Sequence, residues 1–251
     1  MGLGGGGSAS PTTGSPTTGS AVQVVRLSGV VNASGDGITL TVDAAGTQGR
    51  PMTITGEAPA SESGATIDIE SAKPNGATWS RVASAVIGSS GVFSAEWTPT
   101  KSAQMDLRAV LAPGITPALG GSSTSGAGGL SGSASTASGQ LKTSALTIPI
   151  FRNAGATIYG PGFWGHRTAC GERLTRATLG VASRTLKCGT RVAVLYKGRE
   201  ITVPVIDRGP FANHASWDLT MATAKALGIK ETVTLGTLAP APAPAATAAG
   251  S

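Results

Sequence analysis

The sequence has few aromatic residues and no long hydrophobic run. Phe, Trp and Tyr make up 4% of the 251 residues, whereas Gly occupies 37 positions and Pro 15. No segment approaches the roughly 18 to 20 consecutive apolar residues that a membrane-spanning helix requires, which excludes a helical membrane protein. So many turn-forming residues cannot all lie in a packed core, and we expect part of the chain to be spacer.

Only two cysteines are present, Cys170 and Cys188. Two thiols cannot form a structural zinc site, and their spacing is not that of a CxxC redox motif. We favour a disulfide, which would indicate an oxidising compartment outside the cytoplasm. A pair of free buried thiols is the alternative.

Low-complexity sequence lies at both ends of the chain. Residues 1–20 repeat Ser-Pro-Thr-Thr-Gly without a charge, so little burial can offset the entropy of ordering them and we expect disorder. Residues 239–251 form an Ala/Pro-rich tail with an extended backbone. The first residues lack the basic and apolar segments of a secretory signal. Since the cysteines favour export, we expect the natural start to lie upstream of Met1.

Residues 21–115 alternate about seven short apolar runs, the first at 22–27, with Gly, Pro, Asn and Ser. Ile67 and Ile69 alternate with acids and would face one side of a strand. The pattern predicts a β-sandwich, and it resembles the immunoglobulin-like modules of bacterial surface proteins. No catalytic constellation lies here. Residues 116–147 are rich in Gly, Ser, Ala and Thr and predict a flexible linker between independently moving domains.

Positive charge is concentrated in the C-terminal third. Residues 151–231 contain twelve Lys or Arg and five Asp or Glu, a net charge of +7 in a chain whose total is +6. Such a surface attracts anionic wall polymers or nucleic acid. No nucleic-acid-binding motif is recognisable, and export also argues against nucleic acid.

Residues 148–238 combine strand-like runs with one short helix. The helix is predicted over residues 221–227, capped by Thr220 and ended by Gly228. Several strands and few helices in about ninety residues predict a small β-barrel. The whole chain is therefore expected to be mainly β.

The same region contains a series of recognisable motifs. They are, in order, ATIYGPG at 156–162, TACGE at 168–172, RTL at 184–186, CGTRV at 188–192, VIDRGPF at 205–211 and WDLT at 217–220. Together they resemble the RlpA-like (rare lipoprotein A) double-psi β-barrel family, in its two-cysteine actinobacterial form. The resemblance covers about a third of the chain.

The resemblance implies a six-stranded barrel that cleaves MurNAc-GlcNAc strands of peptidoglycan lytically and leaves a 1,6-anhydro product. Breaking a glycosidic bond requires a carboxylic acid that protonates the leaving oxygen. In a lytic cut the 6-hydroxyl of the muramic acid attacks the anomeric carbon, so one acid/base carboxylate suffices. No metal or organic cofactor is implied.

Three carboxylates of this region are candidate catalytic residues: Asp207, Asp218 and Glu172. Asp207 ends an apolar run, Asp218 precedes the helix, and Glu172 matches the family's Gly-Glu block. The structural alternatives are a turn-forming Asp207 and a helix-start Asp218 bound by backbone N–H groups. Glu200 and Glu231 are expected on the solvated surface.

One position departs from the family pattern. The family's His before Arg-Thr-Leu is replaced by Ser183, which cannot titrate near neutrality. The protein could therefore be slow, or could only bind glycan. His166 lies in a loop and could line the cleft, although loop histidines are more often simply exposed.

The aromatic residues could stack on the apolar faces of sugar rings, or could instead fill the barrel core. The full set of candidate substrate-binding residues is Tyr159, Trp164, His166, Ser183, Arg208, Phe211 and Trp217. We expect a secreted or wall-associated protein acting on peptidoglycan strands, with possible cell-wall or division partners for the N-terminal module. The alternative function is a non-catalytic, expansin-like polysaccharide-binding module.

Overall fold

The computed structural model describes residues 23–113, 140–211 and 214–240. The predicted disorder of 1–20 and almost all of the tail fall outside these ranges. The described residues are mainly β, with one α-helix, α1 (Met221–Leu227), and two 3-10 turns, Ala60–Glu62 and Pro161–Phe163. The strands are β1 Val24–Arg26, β2 Val30–Gly35, β3 Ile38–Asp43, β4 Gly46–Thr47, β5 Met52–Glu57, β6 Thr66–Ala72, β7 Ser80–Val86, β8 Val92–Trp97, β9 Gln104–Leu111, β10 Leu146–Tyr159, β11 Val181–Ala182, β12 Arg191–Tyr196, β13 Arg199–Asp207, β14 Trp217–Thr220 and β15 Val233–Leu238.

The N-terminal unit consists of two antiparallel arrays of strands. Strands β2, β3, β5 and β8 form one sheet, and β7, β6, β9 and the start of β10 form the second. Alternate residues of these strands meet in one hydrophobic core, and Ile67 and Ile69 are both fully buried in it, as their alternation predicts. The acids between them lie outside the core, where Asp68 pairs with Arg81 and Glu70 with Arg108.

Strand β10 runs without a break from the N-terminal unit into the C-terminal barrel. Residues 146–149 pair with β9, Ile150 and Phe151 pair with β4, and residues 152–159 pair with β15 and β14. Residues 141–147 were predicted to belong to the linker, but they pack on the N-terminal unit. Thr143 exchanges hydrogen bonds with the backbone of Ala109. Leu146, Ile148 and Ile150 alternate along β10 and continue one buried face of the strand. The rest of the predicted linker, residues 116–139, lies outside the described ranges.

The first strand also differs from its predicted position. The run at 22–27 was assigned to the sandwich, yet β1 pairs antiparallel with β13 of the barrel, with Val24 opposite Ile201. Just past the paired residues, the backbone N–H of Leu27 donates to the carbonyl of Gly198. A three-residue strand has too little apolar surface to dictate its partner, so the available sheet edge decides where it pairs.

Six strands close into the barrel in the order β10, β15, β12, β13, β11, β14 and back to β10. This closed six-stranded barrel confirms the barrel prediction and is consistent with a double-psi topology. Its interior is filled by small branched side chains such as Val192, Val203 and Leu219. The predicted caps of α1 are present, because Thr220 accepts from the N–H of Thr223 and Gly228 adopts a left-handed φ of 76°. In the described residues, no helix has the length and apolar character needed to cross a membrane.

Candidate functional site

Three carboxylates of the barrel influence the ionisation of Tyr159. Asp207 ends β13, Asp218 lies in β14, and Glu172 lies in the loop that follows Cys170. Burial raises the pKa of Tyr159, and the negative charges of Asp207, Asp218 and Glu172 raise it further. Asp207 and Asp218 flank the same residue of β11, Ala182, and the loop that carries Glu172 is bound to Asp207 through the N–H of Ala169.

The two-residue strand β11 sets the spacing of the aspartates. Ala182 is the register partner of both Asp207 and Asp218, so their Cα atoms are two strand spacings apart, about 10 Å. The register between β11 and β13 shifts by one residue just before Asp207. Such irregularities re-aim side chains at the edge of a barrel. Because Ala182 is small, no bulky side chain of β11 separates the two aspartates.

Asp218 is held in a site that favours its protonated form. Burial raises its pKa, the hydrogen bond from Thr157 lowers it, and the charge of Asp207 raises it again; the net pKa lies above the usual range. Thr157 Oγ1 donates to Asp218 Oδ1 over 2.8 Å. Thr157 and Asp218 are register partners on β10 and β14, so the closure of the barrel positions this pair. A carboxyl group with a raised pKa is suited to donating a proton.

Asp207 is oriented by the backbone around it. Its Oδ1 accepts the N–H groups of Ala169 over 2.9 Å and of Arg208 over 2.8 Å. Among the described residues Oδ2 has no hydrogen-bond donor, which leaves this oxygen available to a ligand. The predicted turn-forming role and a functional role are thus compatible in one side chain.

The disulfide prediction is confirmed. Cys170 and Cys188 are bonded, with their Cα atoms 5.6 Å apart, and the described part of the chain has no free cysteine. The bond joins the loop that carries Ala169 and Glu172 to the turn before β12. The N–H of Cys170 also donates to the carbonyl of Ile206. The disulfide therefore holds the exposed Glu172 loop against the strand that carries Asp207.

Tyr159, Trp164, His166 and Phe211 lie at or near the surface. Tyr159 is half-buried and contacts Phe163 edge-on, with the ring centroids 6.1 Å apart. Trp164 is half-buried beneath the guanidinium of Arg176, 4.6 Å from its ring centroid. Phe211 is 82% exposed, and His166 is also exposed. His166 and Phe211 are thus accessible to a ligand, Trp164 is partly accessible, and the hydroxyl of Tyr159 is buried.

Ser183 and Arg208 are engaged with the backbone. Ser183 is only 4% exposed, and its Oγ accepts the N–H groups of Thr185 and Leu186. Arg208 donates to the carbonyls of Ser183 and Leu186 over 3.3 and 3.0 Å. Both side chains thus stabilise the turn after β11, and the sequence motif alone did not reveal this role.

Trp217 lies away from the carboxylates. It is 5% exposed, packs in the barrel core, and its Nε1 has no hydrogen-bond partner among the described residues. With Ser183 it lines a separate cavity of about 460 Å³ between the barrel and the N-terminal unit. Trp217 and Leu219 are alternate residues of β14 and face the interior of the barrel, whereas Asp218, between them, points outward. The structure thus gives Trp217 the core role that was the alternative for these aromatics.

A groove that no sequence motif indicates lies beside Tyr159. A cavity of about 620 Å³ lies between α1 and the segment after β10, and we call it the α1 groove. Its lining includes Tyr159, Trp164, Arg176, Met221, Lys225 and Lys230. The spacing of Met221 and Lys225 on one helix face was the available signal, but their partners come from distant segments. In the part of the chain that the structure describes, no group of three or more His, Cys, Asp or Glu is placed to hold a metal ion.

Comparison with known proteins bears on the barrel only. Residues 145–238 match the protein-family model described as lytic transglycolase. The match confirms the RlpA-like resemblance of the C-terminal barrel. Over 87 residues, 34% of this chain and 27% of the relative, the sequence is 46% identical to the probable endolytic peptidoglycan transglycosylase RlpA of Synechocystis sp..

Two further relatives carry the same description. The endolytic peptidoglycan transglycosylase RlpA of Campylobacter jejuni is 42% identical over 71 residues, 28% of this chain and 26% of the relative. That of Pseudomonas aeruginosa is 41% identical over 81 residues, 32% of this chain and 24% of the relative. The chain thus matches about a quarter of the length of these relatives.

Proposed function

We propose that this protein cleaves the glycan strands of peptidoglycan endolytically, between MurNAc and GlcNAc, and leaves a 1,6-anhydro end. The observation that carries this proposal is the position of Asp207 and Asp218 on either side of Ala182, with the Glu172 loop bound to Asp207, on a barrel that matches the lytic transglycolase family. The relatives named as RlpA transglycosylases support the same activity.

In the proposed reaction Asp218 is the proton donor, because the structure raises its pKa. Asp218 protonates the glycosidic oxygen as the bond from that oxygen to C1 of the muramic acid breaks. The 6-hydroxyl oxygen of the same sugar then bonds to C1, and its proton passes to the carboxylate that Asp218 has become. The negative charge of Asp207 stabilises the positive charge that develops at C1. No water enters the product, which distinguishes this reaction from hydrolysis.

The product tests the proposal directly. Purified glycan strands incubated with the protein should yield new ends that are 1,6-anhydromuramic acid by mass spectrometry. The Asp207→Asn/Asp218→Asn variant should yield none. New ends that carry an added water would show that the reaction is hydrolysis and that the proposed lytic reaction is wrong. Co-sedimentation with walls without any new ends would support the non-catalytic, expansin-like function instead.

Because Ser183 stands where the family has His, we expect that restoring His at this position increases the rate of glycan cleavage. We expect Ser183→His to raise turnover several-fold, because Ser183 N donates to the carbonyl of Asp207 and an imidazole beside it would add a titratable group. Single-turnover rates of the two proteins measure the effect, with Ser183→Asn as the polar control. An unchanged rate would show that this position is not limiting.

We also propose that the two-sheet N-terminal unit is an immunoglobulin-like module and that the protein works outside the cell, at the wall. The disulfide between Cys170 and Cys188 supports an oxidising location. In this proposal the N-terminal unit binds other wall or division proteins while the barrel acts on glycan.

A further inference from the structure

The α1 groove has an apolar floor and a cationic rim. Its floor is formed by Met221, Ala224 and Ile229 together with the rings of Tyr159 and Trp164. Its rim carries Arg176, Lys225 and Lys230, and no acidic residue lines the cavity. Apolar surface with a few charged groups is the composition of a site that binds an amphipathic ligand.

The cations of the groove are available to a ligand. The two ion pairs found among the described residues both lie in the N-terminal unit. Lys225 and Lys230 therefore have no carboxylate partner within the described ranges. Both lysines are exposed. Arg176 instead lies over the ring of Trp164, 4.6 Å from the ring centroid, and both side chains line the groove.

Tyr159 connects this groove to the three carboxylates. Its ring lines the groove, and two residues earlier on the same face of β10 Thr157 donates a hydrogen bond to Asp218. A polymer bound at the carboxylates can therefore continue into the groove. The charge changes sign along this path, from a cluster of acids to a cluster of bases.

We propose that the α1 groove binds a muramic acid residue of the glycan strand, with its sugar ring on Trp164 and the free carboxylate of its lactyl group at Lys225 and Lys230. The inference rests on the proposed function, since the lactyl carboxylate is a feature of the proposed substrate that the same site would recognise. Only every second sugar of the strand carries a lactyl carboxylate. Attraction of that carboxylate to the lysines of the groove thus sets the register of the strand along the barrel.

The test compares two glycan preparations and three proteins. One preparation keeps its lactyl carboxylates, and in the other they are converted to neutral amides. Wild-type protein is compared with Lys225→Gln/Lys230→Gln and with the control Arg191→Gln/Lys197→Asn, which removes two positive charges elsewhere on the barrel. Asn is chosen at Lys197 because its φ is 48°, a left-handed conformation that Asn tolerates.

We expect wild type and the control to bind the carboxylate strands about threefold to tenfold more tightly than the amidated strands. The ratio of dissociation constants should fall to about one in Lys225→Gln/Lys230→Gln, and in wild type it should decline as salt is added. Trp164→Ala should weaken binding of both preparations equally, and Trp164→Phe should restore it. A ratio that is unchanged in the lysine variant, or already one in wild type, would overturn the inference.

The same samples separate this inference from the proposed function. If the groove proposal fails but cleavage occurs, all proteins still produce anhydro ends and show no difference in selectivity. If cleavage fails but the groove binds, no protein produces anhydro ends, while the carboxylate preference is present in wild type and absent from the lysine variant.

Discussion

Asp218→Asn is expected to reduce the rate of glycan cleavage by about a hundredfold or more, which is the usual contribution of a general acid. The substitution keeps an oxygen that can accept the hydrogen bond from Thr157 but removes the transferable proton. Production of anhydro ends from purified strands measures the loss. Glu200→Gln is the matched control, because Glu200 is also half-buried with a pKa raised by burial yet lies at the opposite end of β13 from Asp207. A wild-type rate in Asp218→Asn would exclude Asp218 as the acid.

The pH profile tests the same assignment. The wild-type rate should fall as pH rises through the elevated pKa of Asp218, since only the protonated acid can donate. In Asp207→Asn this decline should move to lower pH, because the negative charge of Asp207 helps to raise the pKa of Asp218. Asn at 207 can still accept the N–H groups of Ala169 and Arg208. A decline at the same pH in both proteins would mean that another group titrates.

Stability should respond to pH in the corresponding direction. The folded protein binds a proton at Asp218 more tightly than the unfolded chain, so ionisation above the folded pKa costs stability. Asp218→Asn should therefore have a higher Tm than wild type at pH 7. The difference should disappear below about pH 4, where the aspartate is protonated in both states. Thermal unfolding at the two pH values measures it.

Removal of the disulfide is the second change with a large expected effect. The Cys170–Cys188 bond closes a loop with a sequence separation of 18, worth about 3 kcal/mol in the chain-entropy account. For a domain of this size the Cys170→Ser/Cys188→Ser variant should lose about 10 to 20 °C in Tm. Reduction of wild type with a thiol should have the same effect, and the reductant should not alter the variant.

Activity should fall even at temperatures where the disulfide variant is folded. The bond holds the loop that supplies the Ala169 N–H to Asp207 and that carries Glu172. Without the bond these groups are less well positioned, so turnover should decrease more than glycan affinity does. A variant with reduced Tm but full turnover at low temperature would limit the disulfide to a stabilising role.

The features that the sequence by itself determined are those with local physical causes. Alternation placed Ile67 and Ile69 on one buried face, and Thr220 and Gly228 marked the two ends of α1. A cap or a period-two pattern depends only on neighbouring residues and can be read from a short segment. The ordered motifs of the C-terminal third similarly indicated the barrel and its candidate carboxylates.

Only the tertiary structure decided how distant segments meet. It paired β1 with β13, continued β10 through both units and directed Trp217 into the barrel core. It also assembled the α1 groove from β10, the following loop and the helix. Strand pairing and the side on which a residue emerges depend on partners far away in the chain and on the closure of the barrel, so no local pattern determines them.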